Sequence, residues 1–335
     1  LATTIKDIAR EVQTSAVTVS LALRGSDRIS EATRKKVIAS AKKLCYKPNR
    51  MAQGLVGAST STAAFVIKGI DQDPMRQTIY ISMFAALAAE LGTEKYHIYL
   101  HTATENQKLA DVLQDVSSLG ADAVILVWDV KTIEDKKVLE QIVSPVILVN
   151  RHLEINGTNC VDFNEKTGIS ECVRYLTENG HNRIYFAGKN EKLSSIRRYG
   201  YFLEEMKKLN LDSFAGSFDC GYSIEAGKDI AGKISEMDKT SRPQAVLAAT
   251  DTIAYGLLED LPKYGINVPE DLSIIGIDDI AMSELVKPPL TSLHLDHKKL
   301  AASLKELIKN KGTESEKNQA VVPVELIKRK SVKEL

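Results

Sequence analysis

Six histidines and four cysteines are the side chains of this sequence best suited to holding a metal or attacking a substrate, and their spacing fits neither task. His97 and His101 stand four apart in a segment that reads as a strand, where such a pair lies too far apart to share one ion. His294 and His297 straddle a strand end with only Asp296 as an acidic neighbour, so no metal site is expected there. Asp278 and Asp279 are adjacent; on a strand they would point to opposite faces and could not work as an acid–base pair. Cys45, Cys160, Cys172 and Cys220 lack C-x-x-C spacing and sit in apolar-patterned segments, the setting of buried free thiols. A G-x-G-x-x-G turn after a strand, a Walker loop and a G-x-S-x-G elbow are all missing from the sequence. The chemistry to expect is therefore binding and not catalysis, with no cofactor and no metal.

Charge says what is bound. Residues 1–58 carry eleven Lys/Arg against four Asp/Glu, a surplus of +7 that the remaining residues cancel to give a net charge of zero. A basic module on an acidic body is the footprint of a polyanion-binding head; a solvated, lysine-rich helix face is the plainer alternative. The 335 residues suit two or three compact units, and no run approaches the roughly 18 apolar residues of a membrane span. Lys6 and Arg10 are not followed by the apolar stretch of a secretory signal; the charge and the thiols favour a cytoplasmic protein.

Three short helices can be read in the basic module. The first opens at Thr4, with Asp7 placed to close a capping box, and Ile5, Ile8, Ala9 and Val12 share one face. Gln13-Thr14 interrupts the pattern. Ser15 caps a second helix ending at Arg24-Gly25, with Val19 and Leu23 inward and Ala16, Val17, Ser20 and Leu21 mostly elsewhere. A third begins near Ser30 and runs through Val37, Ile38, Ala41 and Leu44. Two helices around a tight turn with a third closing the core make a helix-turn-helix arrangement. Its second helix would enter the major groove, with hydroxyls near helix starts on phosphates. A generic three-helix bundle would carry similar caps.

The stretch TIKDIAREVQTSAVTVSLALRG followed by ISEATRKKVIASAKKLCYKPNRMAQGL resembles the headpiece and hinge of the lactose-repressor (LacI/GalR) family. Tyr46-Lys47-Pro48-Asn49-Arg50-Met51-Ala52 is similar to that family's entry into the hinge helix. The resemblance implies a headpiece over residues 1–46 and a hinge helix and linker over 47–59. It also implies that Leu55 of each subunit wedges into the minor groove of a palindromic operator. Unstacking a flexible base step in this way gives a bend that gains protein contacts. The DNA-facing positions expected are Thr4, Ser15, Ala16, Val17, Thr18, Ser20, Leu21, Arg24, Ser30, Thr33, Asn49, Ala52 and Leu55. Three residues depart from the family pattern: Gln13 for a turn glycine, Leu21 for an arginine and Arg24 for an asparagine. With Ala16, Val17 and Leu21 outward, contact with thymine methyls is the expected direct readout, and the operator should differ from the common family palindrome.

Beyond residue 60 strands and helices alternate. Runs such as AVILV and PVILVN read as strands buried on both faces of a parallel sheet, and the strands with their intervening helices would fill two halves of about six strands each. Expected strands are 62–68, 96–102, 123–129, 145–150, 183–188, 245–250 and 272–278, with helices at 78–91, 166–178, 195–209 and 252–264. GHNRIYFAG and the run from AVLAATDTIAYGL through INVPEDLSIIGIDDI to PPLTSL are close to patterns of the same family. The fold implied is a small all-α headpiece plus a two-lobed α/β core, like periplasmic binding proteins, with parallel doubly wound sheets. The core would span 60–335, one lobe about 60–158 and 296–322, the other about 159–295 and 323–335.

Ligands in such sheets bind beyond the carboxyl ends of the strands. Here those ends carry Trp128-Asp129, Asn150-Arg151, Thr250-Asp251 and Asp278-Asp279. By resemblance Asp278 accepts hydrogen bonds from an effector, and Arg197, three residues before Gly200, clamps it. Tyr222, Thr78 and Ile79 fall near effector positions, although packing roles serve Tyr222 and Thr78 equally well. Asp251 has a second reading as a helix cap, and Asp279 as a structural group. Asn150, Thr250, Asp278, Arg197 and an aromatic favour a sugar or sugar derivative over a nucleobase, and too few basic residues can be placed there for a phosphorylated sugar. The function expected is a homodimeric transcription regulator, a repressor, whose effector and operator affinities are coupled; whether the effector releases or fastens the protein stays open. A transport-type binding protein would show a secretory signal and no basic head, and an enzyme would show turnover. The final residues lack the apolar heptads of a tetramerising coiled coil, which favours a dimer.

Overall fold

The computed structural model describes residues 3–23, 25–46, 60–69, 74–94, 96–130, 132–141, 145–149, 158–190, 192–309 and 319–334. Arg24, the 47–59 segment with Asn49, Ala52 and Leu55, and Asn150 lie outside the described residues. Contacts divide the chain into two compact units, Leu1–Thr60 and Ser61–Leu335. Among the described residues no helix is long and apolar enough to cross a membrane.

The first unit holds α1 (Ile5–Val12), α2 (Ala16–Leu23) and α3 (Glu31–Lys43). The hydroxyl and backbone N–H of Thr4 both donate to the Asp7 carboxylate, at 2.7 and 2.9 Å, and so fix the first turn. Gln13 ends α1 in the left-handed region at φ 53°, which turns the chain into α2 without a glycine. Ser15 and Ser30 cap α2 and α3 by accepting the N–H groups of Thr18 and Thr33. Ile8, Ala9, Val19, Ala22, Val37 and Ala41 form the core. Full burial of Ile8, Val19 and Val37 contributes about 1.5–3 kcal/mol each. Two expected orientations change. Ala22, not Leu23, is the buried partner of Val19: positions three and four apart both fall near one face, and here the core takes the nearer turn; Leu23 is only half-buried. Ala16 packs partly against the core, and Ile38 points to solvent.

The second unit contains two six-stranded sheets. Its strands are β1 (Thr62–Lys68), β2 (His97–Ala103), β3 (Ala123–Val127), β4 (Val146–Val149), β5 (Asn159–Phe163), β6 (Ile184–Lys189), β7 (Gly216–Asp219), β8 (Ala245–Ala248), β9 (Ser273–Asp278), β10 (Thr291–His294), β11 (Gln319–Val322) and β12 (Glu325–Ile327). Its helices are α4 (Pro74–Gly92), α5 (Leu109–Ser118), α6 (Ile133–Gln141), α7 (Glu165–Glu178), α8 (Leu193–Lys208), α9 (Ile224–Glu236), α10 (Asp251–Asp260) and α11 (His297–Lys309). The first sheet runs β11-β5-β4-β3-β1-β2 and the second β12-β10-β9-β8-β6-β7. All pairs are parallel except β10 with β12.

The chain crosses between lobes after β5, after β10 and between β11 and β12. This moves one expected boundary. The expected boundary puts residues 159–163 in the second lobe, yet β5 pairs with β4 and β11 in the first sheet, so the crossing follows Phe163. Five residues without clear alternation gave that strand no signal. Strands β7, β10, β11 and β12 and helices α5, α6, α9 and α11 were likewise not among the expected elements. The expected thiols also change: Cys160 and Cys172 are buried, while Cys45 is exposed and Cys220 half-buried, and none of the four is in a disulfide.

Candidate functional site

In each sheet the strand order reverses once, beside β1 in the first and beside β6 in the second. Crevices open at such switch points because the helices on either side leave towards opposite faces of the sheet. One cleft, enclosing about 1040 Å³ when its opening to solvent is counted in, collects the carboxyl ends from both lobes. The first lobe supplies a mostly apolar wall of Ile79, Tyr80 and Met83 on α4, Val127, Val149 and Phe163 at strand ends, and Leu295. The second supplies Ser194 and Arg198 on α8, Tyr222, Thr250 and Thr252, and Asp278. Charged groups stand at Lys68, Glu105, Asp129 and Lys192.

The second-lobe wall is fixed by polar contacts. Asp278 and Asp279 have φ values of 115° and 52°, and this backbone, not strand alternation, is what separates their side chains. Asp278 faces the cleft with Oδ1 3.9 Å from the Arg198 guanidinium. Asp279 turns away to Arg329 at 2.6 Å and to His294 Nδ1 at 3.0 Å. The nearby acid for His294 is thus Asp279, brought alongside by the β9–β10 pairing, and not Asp296. Asp251 does not line the cleft. Fully buried, it accepts from the hydroxyls of Ser292 at 2.6 Å and Ser283 at 2.8 Å and from the Ile280 N–H at 3.0 Å. Burial pushes its carboxyl up to about 7, against the pull of those donors. Ser292 Oγ in turn accepts from the Asp279 N–H at 3.1 Å, so the network holds the strained Asp278–Asp279 pair. Thr252 donates to the Tyr222 carbonyl at 3.0 Å and shares a 2.8 Å bond with Thr250. Burial raises the Tyr222 phenol above its usual range. At the end of β6, Gly188 has φ 110°, and a Cβ there would meet Ala249, Ile253 and Tyr222.

Of the expected effector positions, Ile79, Tyr222, Thr250 and Asp278 line the cleft. Thr78 is exposed, and its helical neighbours Tyr80 and Met83 face inward in its place. Arg197 does not line the cleft; Arg198 does. Adjacent residues on a helix point about 100° apart, and here Arg198 shares the cleft face with Ser194 four residues earlier. Arg197 instead meets Asp162 at 3.1 Å and Glu165 at 3.5 Å. Burial opposes the charge of Arg198, but Glu165 and Asp278 hold its pKa above the ordinary arginine value. Lys68 and Lys192 correct the expectation that few basic residues reach the cleft. Lys68 ends an apolar strand, and its ammonium lies 4.3 Å from the centre of the Trp128 ring. His297, which the sequence raises only as a metal ligand, also lines the cleft. It opens α11, with Nδ1 3.2 Å from Ser82 Oγ, and burial lowers its pKa to about 4, with His294 adding to the shift.

On the first unit, the hydroxyls of Ser15 and Thr18 lie 2.9 Å apart, as do those of Ser30 and Thr33. Each pair has two hydroxyl protons and uses one between its members, leaving one for an outward acceptor. The Thr4 hydroxyl already donates to Asp7. Val17 is 68% exposed at the start of α2, whereas Ser20 and Leu21 are half-buried.

A helix-turn-helix unit and a separate two-lobed core with a ligand-sized cleft define the architecture of a ligand-responsive DNA-binding regulator. The model of bacterial regulatory proteins of the lacI family matches residues 4–49, and that of a periplasmic binding protein-like domain matches 173–332. Catabolite control protein A of Priestia megaterium is 30% identical over 297 residues, covering 87% of this chain and 86% of that protein. The fold is similar to that of the Lac repressor dimer bound to operator and the anti-inducer ONPF (TM-score 0.83, 21% identity, 99% of both chains). It is also similar to that of the transcriptional regulator CelR in its cellobiose complex (TM-score 0.70, 23% identity, 98% of this chain and 99% of that one). The chain belongs to the LacI family: it is a DNA-binding transcriptional regulator and not an enzyme.

Proposed function

We propose that this regulator is a cytoplasmic repressor that binds a palindromic operator as a homodimer and is controlled by a sugar held between its lobes. The carrying observation is the two-faced cleft. Hydroxyl and charged groups from Ser194, Arg198, Thr250 and Asp278 meet an apolar wall that includes Ile79, Met83 and Phe163. A sugar ring has this character, with hydroxyls at its edge and C–H groups on its face. Lys68, Lys192 and Arg198 stand against Glu105, Asp129 and Asp278, a balance that suits a neutral polyol better than a phosphorylated one. The likeness to proteins crystallised with operator or cellobiose supports the same reading.

In this proposal residues 1–46 are the DNA-binding headpiece, 47–59 the hinge segment and 60–335 the effector core. Ser15, Thr18, Ser20, Ser30 and Thr33 position the headpiece on phosphates, while Thr4, also expected there, gives its hydroxyl and N–H to Asp7. Ala16, Val17, Leu21 and Arg24 face bases, and Asn49, Ala52 and Leu55 serve the minor groove. Asn150 joins Asp278, Thr250, Tyr222, Ile79 and Arg198 at the effector.

The test selects bound sequences from random duplex DNA with and without glucose, ribose, sucrose and cellobiose. Emission from Trp128, the single tryptophan of the chain, is followed in parallel. A two-fold motif whose enrichment changes with the sugar that also shifts Trp128 emission supports the reading. A motif with no response to any sugar sinks the effector class; no motif from folded protein sinks the operator.

A further inference from the structure

The two adjacent arginines of α8 face in different directions and share one carboxylate. Arg198 donates through Nε to Glu165 Oε1 at 3.0 Å, donates to the Ala249 carbonyl, and lies 3.9 Å from Asp278 in the cleft. Arg197 reaches Glu165 Oε2 at 3.5 Å and Asp162 at 3.1 Å. Asp162 belongs to β5 of the first lobe, Glu165 is the first residue of α7 in the second, and the chain crosses between lobes at Phe163-Asn164. The Arg197–Asp162 pair therefore ties the second lobe to the first. The five charged side chains run in one contact chain from the cleft carboxylate to that tie. All are at least four-fifths buried, so solvent screens the pairs from one another only weakly.

We propose that Glu165, Arg197 and Arg198 are positioning residues that couple Asp278 in the cleft to the interlobe tie at Asp162. Engagement of Asp278 by a ligand draws on Arg198. Arg198 then changes its hold on Glu165, and Glu165 shares less or more of its charge with Arg197. The strength of the Arg197–Asp162 pair follows. Effector occupancy thereby changes how firmly one lobe is held to the other at their first crossing. The effect is electrostatic and short-ranged, and it needs no movement larger than the side-chain shifts of the cluster. It rests on the reading of Asp278 as the carboxylate that meets the ligand, and it explains why the arginine expected in the cleft lies beside it.

Amide hydrogen exchange on the full chain, with neither DNA nor sugar, tests the coupling. Asp278→Asn removes the cleft charge and keeps its shape. It is expected to change exchange by about fivefold in the peptide spanning 162–168, although the substitution lies far away in sequence. In an Arg197→Gln background the same substitution should leave that peptide unchanged, because the link is already cut. Arg197→Lys keeps a charge and should restore part of the response, which separates coupling from a folding defect. Glu105→Gln, a cleft substitution outside the chain of contacts, should not alter the peptide. Unchanged exchange in Asp278→Asn, or a full effect persisting in Arg197→Gln, overturns the proposal. A cleft that takes no sugar fails in the Trp128 titration, so the two failures are read separately.

Discussion

The two lobes of the core share one strand order and meet the same cleft, yet they build their walls by different means. In the first, side chains of the hydrophobic core simply continue to the surface: Val127 and Val149 end buried strands, and Ile79 and Met83 project from α4. In the second, Asp278 sits on a left-handed backbone held by Asp251, Ser292, Asp279, His294 and Arg329. An apolar wall needs only the right volume and tolerates neighbours of similar shape. A polar wall needs each donor and acceptor in place, since a partly satisfied buried network is worse than none. The same topology therefore yields one adaptable face and one demanding face. The second is expected to set ligand identity.

The strongest way to break this comparison is to remove the centre of the network. Asp251→Ala leaves the Ser283 and Ser292 hydroxyls and the Ile280 N–H without their acceptor in a dry interior. A loss of about 3 kcal/mol in urea unfolding of the core is expected. A change near zero would mean that Asp278 and Asp279 hold their conformation without it. Asp278→Asn removes only the charge at the cleft. Sugar affinity read by Trp128 emission should fall by about 30-fold, equivalent to about 2 kcal/mol for a charged hydrogen bond, with folding little changed. The counterpart on the first lobe is Met83→Leu, close in volume, for which sugar affinity within about threefold of wild type is expected. If the methionine substitution weakens binding as much as the aspartate one, the distinction between the walls fails.

The contrast also accounts for what could be read from sequence. Repeated apolar strands such as AVILV declare a buried parallel sheet, and the carboxyl ends of those strands placed Thr250 and Asp278 at the cleft. On the first lobe, Ile79 and the strand-end Asp129 are the lining positions that the sequence leads one to expect. Tyr80, Met83 and Phe163 look like any core residue, because nothing in a sequence tells an apolar side chain lining a cavity from one lining a core. Arg197 and Arg198 show the limit in another form. Their identities made an arginine at the cleft expected, but which of two neighbours turned inward depended on the helix's rotation against α7 and β5. His294 and Asp279 are fifteen residues apart and became partners through strand pairing alone. Short strands such as β5 and β12 are fixed by their neighbours in the sheet, so local pattern said little about them.

Titration offers the finest test, because the two lobes carry perturbed groups of opposite sign. Asp251, in the second, has its carboxyl raised from 3.8 to about 7 by burial. Between these values the folded protein binds its proton more tightly than the unfolded chain, so its contribution is full below about pH 4 and is lost as pH rises through about 7. His297, in the first, is lowered from 6.5 to about 4, again by burial. There the unfolded chain binds the proton more tightly, so the contribution is full above about pH 6.5 and is lost as pH falls through 4. In the window from pH 4 to 6.5 the two slopes oppose, each at most about 1.4 kcal/mol per pH unit. Wild-type stability should therefore vary little there from this pair. Asp251→Asn should expose a stability that climbs with pH, and His297→Gln one that declines. Denaturation midpoints of the three proteins across this window decide it. Parallel pH profiles for both variants would mean that neither group titrates as its lobe predicts.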